Sequence, residues 1–245
     1  MTAVSGRSDA SPRQRILDAT AELLAQGGRE AVSTRAISAA AGVQAQTIYR
    51  QFGDMRGLMD AVADAGWTAY LAIKTSQERS DAPIDELRHG WDLHVEFGLA
   101  HPALFKLTYG DPRRSAPSAV HGAAHDILTA ILHRVAEAGR LRVDVDTAAA
   151  MIHSAGVGVT LALIAAHANG LPDTHTGLSH RVRDAVFDAI LTSSADCTSN
   201  GDRPPAAHFA VGLTAVLPTV EDRFSTHEAG LLREWLDRIT KPSAR

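Results

Sequence analysis

Ser33 to Arg56 reads STRAISAAAGVQAQTIYRQFGDMR, and this stretch decides the fold. Two short helix-forming runs flank Gly42, the first rich in alanine, the strongest helix former. Glycine takes the positive φ that ends a helix, so Gly42 suits the turn between the runs. Val32 before Ser33 and Ile37 beyond it have the spacing of a hydrophobic staple around an N-cap serine. Val43 and Ile48 repeat that spacing, with Gln44 at the cap. Ile37, Val43, Ile48 and Phe52 can then meet in a small core. Gln46, Tyr49 and Arg50, at i, i+3 and i+4, are left on the opposite face of the second helix. A short helix that shows an amide, a phenol and a guanidinium, joined by a tight turn to a supporting helix, is a helix-turn-helix.

Working outward, Pro12 suits the first turn of a helix. Ile16, Leu17, Thr20, Leu23 and Leu24 form one amphipathic face, and Gly27-Gly28 stops the run. The expectation is a three-helix DNA-binding unit over residues 12–54, behind a tail at 1–11 whose Arg7 is read as solvated. Gly53-Asp54 supplies a turn and a cap for a long helix from Met55 to about Gln77. Its early residues, Leu58, Val62 and Ala65, face the DNA-binding unit. Trp67, Tyr70, Leu71 and Lys74 would belong to a second body, residues 55–245.

The same residues carry a resemblance. Thr34, Ile37, Ala41-Gly42-Val43, Thr47-Ile48-Tyr49, Phe52 and Leu58 resemble the DNA-binding signature of the TetR family of bacterial transcriptional regulators. Two positions depart from it. Gln44 stands where the family usually has serine and is a poor N-cap, which leaves it able to reach toward DNA. Met55 replaces a usual lysine, removing one phosphate contact unless Arg56 supplies it. A weaker likeness to some ligand domains of the family lies in His101 to Pro112.

On chemistry, Gln46 and Arg50 suit base edges, an amide on adenine and a guanidinium on guanine. Thr34, Arg35, Thr47, Tyr49 and Arg56 suit phosphates, which fix register without reading sequence; the resemblance supports that role for Thr34, Thr47 and Tyr49. Gln44 and Ala45, opening the second helix, complete the candidate DNA surface. The resemblance further implies a homodimer on a palindromic operator, a repressor released by a small, largely apolar ligand, with the long helix coupling ligand to reading-head spacing. The rivals are a TetR-like activator, or a helical enzyme or carrier whose helix-turn-helix is non-functional.

Composition bounds the rest. The chain has 245 residues, 45% hydrophobic and 21% charged, an ordinary globular balance that can bury a sizeable core. One cysteine, Cys197, excludes an internal disulfide and a multi-cysteine zinc site, and with no apolar core of a signal peptide at the start a cytoplasmic location is expected. The most apolar run, Ala155 to Ala166, is read as too short for a membrane span. Net charge is −4. Up to Arg56, seven arginines stand against five carboxylates, which gives +2 there and leaves −6 for the remainder; the polarity suits DNA but is weak.

Beyond residue 80 the sequence reads as helices without strand alternation: 84–100, a short segment to Tyr109, 115–139, 146–168, 178–191 and two more after a polar loop at 196–205. The helix at 146–168 is apolar nearly all round and should be central. Ser225 with Glu228 makes a capping box, and the stripe Leu231, Leu232, Trp235, Leu236 and Ile239 behind it is a candidate dimer face. Trp67, Trp91, His94, Phe97, Phe105, His125 and His153 are candidate lining for a mostly apolar ligand cavity, with plain core as the alternative for each. His121 and His125 stand at i, i+4, a zinc-capable spacing, yet no third ligand accompanies them. No catalytic constellation, metal or cofactor is expected. The fold expected is all-α, a three-helix DNA-binding domain joined by a long helix to a helical bundle for ligand binding and dimerisation.

Overall fold

The computed structural model describes residues 10–75, 80–110, 119–171, 177–192 and 206–240. They form α1 (Pro12–Gly27), α2 (Thr34–Ala41), α3 (Ala45–Phe52), α4 (Met55–Thr75), α5 (Pro83–Ala100), α6 (Pro102–Tyr109), α7 (Ala119–Glu137), α8 (Val145–Ala168), α9 (Leu178–Ile190), α10 (Ala206–Val216) and α11 (Thr226–Thr240). The described residues contain no β-strand, only an isolated antiparallel bridge between Leu141 and Leu191. The tail with Arg7, the loop 196–205 with Cys197, and the His121 side chain lie outside the described residues.

The chain divides into two compact units: Met1–Gln77 with Glu96–Gly122, and Glu78–Val95 with Ala123–Arg245. In the first, local chemistry sets each helix boundary. Ser11 accepts a hydrogen bond from the Gln14 amide at 3.2 Å, with Pro12 opening α1, and Gly28 at φ 64° closes it. Ser33 caps α2 by accepting from Ala36 N at 3.2 Å. Gly42, at φ 65° and ψ 40°, is the left-handed residue the turn needs. Asp54 caps α4 by accepting from Gly57 N at 2.7 Å. The core is Ile16, Ala19, Leu24, Ile37, Ala41, Ile48, Leu58, Met59 and Val62, with Val32, Val43 and Phe52 half-buried around it. The proposed staple and small core are both present.

The packing division differs from a boundary at 54/55. All of α4 stays with the first unit, as does α6, whose Ala103 and Leu107 pack on the DNA-binding core. The cause is aromatic. Trp67 and Tyr70 are buried at 2% and 1% exposure, and their rings meet Phe97, while Trp67 also meets Phe105 and Tyr109. Trp67 donates its indole N–H to Thr108 Oγ1 at 2.9 Å. Gly66 permits the approach of α6: a Cβ there would lie 2.3 Å from Leu104 Cδ2. Burial pushes the Tyr70 and Tyr109 phenols above the usual range, the neighbouring Tyr70 adding to the effect at Tyr109. Burial also lowers the Lys74 ammonium, which lies 5.8 Å from the centroid of the Tyr70 ring.

In the second unit α8 packs on α9. Asp144 caps α8, accepting from the Thr147 amide and hydroxyl at 2.8 Å each. Trp91 donates to Ser179 Oγ at 3.0 Å, and Arg183 holds Asp92 at 3.0 Å, tying α5 to α9. Glu86 and Arg134 tie α5 to α7 at 2.8 Å. Arg140 and Arg142 donate to the carbonyls of Thr192 and Leu191 after α9. The Ser225–Glu228 capping box is formed: Glu228 N donates to Ser225 Oγ while Glu228 accepts from Ser225 N at 2.9 Å. Those bonds hold the Glu228 carboxyl below its usual range.

Two expectations about α8 are corrected. The apolar helix is 24 residues long, enough by length and composition to cross a membrane, so length does not exclude a span. It is also less enclosed than expected. One side, with Ala148, Ala149, Ile152, Gly156, Val159, Thr160, Leu163 and Ile164, is buried, whereas Ala150, His153, Ser154, Gly158, Ala162 and Ala165 are exposed. Small side chains raise the hydropathy of a face without giving it bulk to bury.

Candidate nucleic-acid interface

The candidate DNA surface is built on α3. Gln44 sits at its N-cap in extended conformation and makes no side-chain cap hydrogen bond, as its chemistry led us to expect, so its amide is not spent on the helix end. The backbone closes regardless, Thr47 N donating to Gln44 O at 2.9 Å. Ile48 is fully buried and fixes which way the helix faces. Gln44, Ala45, Gln46 and Arg50 are exposed, Tyr49 is 44% exposed, and Thr47 is half-buried. Arg35 on α2 and Arg56 on α4 are exposed, and Thr34 is half-buried. The three side chains on which the motif depends thus reach solvent together from one short helix.

Thr34 Oγ1 and Tyr49 Oη lie 3.0 Å apart in a hydrogen bond that joins the start of α2 to α3. Thr34 also contacts Met55 Sδ at 3.8 Å. The two hydroxyls expected from the sequence to suit phosphate are therefore adjacent, and the Met55 thioether lies against Thr34. Each hydroxyl has a single proton, and one of the two is spent in this bond, so the pair as it stands has one O–H free to donate to an acceptor such as a phosphate oxygen.

Two arginines of α1 were not singled out by the sequence. Arg15 donates from Nε to Ala41 O at 3.2 Å and from Nη1 to Ala10 O at 3.1 Å, pinning the last turn of α2 beside the start of α1. Arg13 lies over the Phe52 ring at 4.7 Å. Both act across more than twenty residues of sequence, beyond the reach of periodicity.

The candidate ligand residues fall in both units. Trp67, Phe97 and Phe105 come together in the first as a packed aromatic group. In the second, Trp91 is buried against Phe187, and a Cβ on Gly156 would lie 3.6 Å from His94 and 3.8 Å from the Trp91 ring. His153, expected among apolar neighbours, is exposed because it lies on the outer row of α8, and His125 is exposed on α7. Among the described residues no three His, Cys, Asp or Glu side chains gather as a metal site.

Residues 16–62 match the model of the family described as bacterial regulatory proteins, tetR family. No curated protein matches the chain. Among solved structures, a protein of unknown function from Rhodococcus sp. RHA1 is 22% identical with a TM-score of 0.62, covering 77% of this chain and all of its own. A putative tetR family transcription regulator from Shewanella sp. PV-4 is 16% identical with a TM-score of 0.57, covering 75% of this chain and all of its own. The transcriptional regulator FadR from Bacillus subtilis, solved with stearoyl-CoA, is 19% identical with a TM-score of 0.59, covering 72% of this chain and 98% of its own.

Proposed function

We propose, from the premise that the chain is a transcriptional regulator of the tetR family, that it is a repressor. It binds a palindromic operator as a homodimer and leaves it when a small, largely apolar ligand binds. The observation that carries the reading is the joint exposure of Gln46, Tyr49 and Arg50 on a helix locked by buried Ile48 and left-handed Gly42. Two such helices enter successive major grooves about 34–36 Å apart. Gln46 and Arg50 read base edges. Thr34, Arg35, Thr47, Tyr49 and Arg56 hold phosphates, with Gln44 and Ala45 against the same duplex. The working division is residues 12–54 for DNA and 55–245 for ligand and dimerisation, in the cytoplasm, with no catalytic role.

Coupling is read through the first unit. α6 packs its Ala103 and Leu107 on the DNA-binding core and its Phe105 on Trp67 of α4. A ligand that displaces Trp67, Phe97 or Phe105 moves groups that touch both α4 and the reading head. Trp91 and His94 are the ligand candidates of the second unit, while exposed His125 and His153 are left out. The ligand-bound fold of FadR shows that this architecture accommodates an acyl-CoA in that protein, which supports an apolar effector here. A ligand shifts the DNA-competent population only by its differential affinity for the two states.

The test is binding of the purified protein to the DNA upstream of its own coding sequence across a salt series. Support is specific binding whose logarithm falls linearly with log salt, relieved by an apolar ligand. Absence of salt-sensitive binding to that DNA and to any selected duplex refutes the function.

A further inference from the structure

Met55 opens α4 with its thioether against the candidate DNA surface. Thr34 Oγ1 lies 3.8 Å from Met55 Sδ and 3.0 Å from Tyr49 Oη, so one threonine hydroxyl stands between a sulfur and a phenol. Met55 is half-buried at the edge of the core, where solvent still reaches the side chain. Met59, one turn further along α4, is 2% exposed and belongs to the core. An accessible thioether therefore touches the two hydroxyls expected to suit phosphate, and a protected one lies a turn away.

Three acceptors share two protons in this row, one on Thr34 and one on Tyr49. When Thr34 donates to Tyr49 Oη, the phenol O–H is left to donate outward, as a phosphate oxygen requires. When Thr34 instead donates to Met55 Sδ, Tyr49 must donate to Thr34 Oγ1, and neither proton is left for phosphate. A thioether is a weak acceptor, so the first arrangement is open to the reduced protein and a phosphate can select it. Oxidation to the sulfoxide turns this flexible apolar side chain into a polar one, and its oxygen accepts far more strongly. The 3.8 Å between Sδ and Oγ1 leaves room for an S–O bond followed by a bent O–H···O contact of about 2.7 Å. The oxidised side chain then holds the Thr34 proton, and Tyr49 turns inward to satisfy Thr34.

We propose that Met55 is an oxidation site through which a hydroperoxide weakens the chain's grip on DNA, its sulfoxide oxygen taking the Thr34 proton and drawing the Tyr49 proton away from phosphate. The sulfur lone pair attacks a peroxide oxygen. An S–O bond forms as the O–O bond breaks, sulfur gives up two electrons, and the rest of hydrogen peroxide departs as water. Sulfoxide reductases reverse the step. The proposal rests on the reading of Thr34 and Tyr49 as phosphate donors, and it adds a chemical signal distinct from the apolar ligand.

Treatment of the purified full chain with hydrogen peroxide tests it. The probe is the duplex that the reduced wild type enriches from a random pool, and peptide mass spectrometry reads oxidation at each methionine. The expected result is oxidation of Met55 ahead of Met59, with the fold retained by circular dichroism. Affinity falls about tenfold per reading head, equivalent to ~1.4 kcal/mol, near the lower end of what a hydrogen bond to a charged group contributes. Methionine sulfoxide reductase restores it. Met55→Leu keeps the apolar bulk, binds within about threefold of the reduced wild type and does not respond to peroxide, although Cys197 and the other methionines remain. Met55→Gln, whose amide carbonyl offers an acceptor at the sulfoxide's place, binds weakly with or without peroxide. Thr34→Val separates proton capture from lost packing: it has no proton to give up, so its affinity, already lowered, stays the same when Met55 is oxidised. A loss in Thr34→Val as large as in wild type overturns the proposal, as does unfolding on oxidation. A Met55 that stays reduced while free methionine in the same solution oxidises, or one that oxidises without change in affinity, overturns it and leaves DNA binding intact. A reduced wild type that enriches no duplex overturns both.

Discussion

Arg15→Ala removes one guanidinium from a place where two parts of the reading head meet. Its Nε and Nη1 donate to Ala41 O and Ala10 O at 3.2 and 3.1 Å in a half-buried setting. Hydrogen bonds from charged donors contribute about 1.5–3 kcal/mol when buried; half exposure reduces each to about 1 kcal/mol, for a combined loss of about 2 kcal/mol. That is well below the roughly 5–15 kcal/mol of a stable domain, so the chain stays folded and the loss is local. It should be read at the turn. Gly42 N donates to Ser38 O, and so does Val43 N at 3.1 Å; these bonds close α2 next to the carbonyl that Arg15 holds. Native-state hydrogen exchange at the Gly42 and Val43 amides should accelerate about 30-fold, the factor for ~2 kcal/mol of local opening. Arg15→Lys, which can reach one carbonyl, should fall midway on a logarithmic scale. Operator affinity should drop with the same ranking. Exchange within threefold of wild type in Arg15→Ala would show that the guanidinium does not hold the turn.

Three further outcomes are expected. Gly66→Ala gains about 1 kcal/mol of helix propensity but drives a Cβ into Leu104 at a cost of about 1–3 kcal/mol, so its melting temperature should fall; in a Leu104→Ala background the same change should raise it, and additive shifts would refute the contact. Ser38→Ala should stabilise by about 1 kcal/mol in denaturant titration, since Ser38 Oγ is buried with no hydrogen-bond partner among the described residues; destabilisation would mean the hydroxyl has a role. Burial raises the Tyr70 and Tyr109 phenols above 10.0, so the folded chain keeps protons the unfolded chain releases. Their contribution is complete below pH 10 and is lost as pH climbs above it, and Tyr70→Phe with Tyr109→Phe should flatten that alkaline loss of stability.

Local signals carried the element map. The glycine terminators and the serine and aspartate caps are formed, Gly28, Ser33, Gly42 and Asp54 in the first unit and the Ser225–Glu228 box far downstream, while Gln44 holds the N-cap position of α3 without a side-chain bond. These features span three or four residues, which is why one sequence suffices to read them. Exposure of Gln46, Tyr49 and Arg50 followed from the opposite face being apolar, and Ile48 is indeed fully buried. What was illegible depended on distant partners. The Arg15 bridge joins residues 26 apart, and the Thr34–Tyr49 hydrogen bond joins residues 15 apart. The aromatic contacts that hold α4 in the first unit involve Phe97, Phe105 and Tyr109, which lie 30, 38 and 42 residues beyond Trp67. The exposure of His153 has a related reason: hydropathy counts small apolar neighbours such as Ala150 and Ala162 as core, whereas these residues are exposed and the buried side of α8 carries Gly156, which faces Trp91 and His94. The ligand candidates suffered most, because aromatic residues at helical spacing make packed core and pocket wall alike.

The account stands or falls on whether Gln46, Tyr49 and Arg50 grip a duplex. The most direct measurement is a binding selection from random duplexes, run in parallel on wild type, Tyr49→Ala and Arg50→Ala. The wild type should enrich a palindrome with half-sites one helical turn apart. Tyr49→Ala should enrich the same site with uniformly weaker binding, and Arg50→Ala should lose preference at one guanine in each half-site, a discrimination of about 1–3 kcal/mol. A wild-type pool that remains random, or an Arg50→Ala pool identical to wild type at every base, would contradict it.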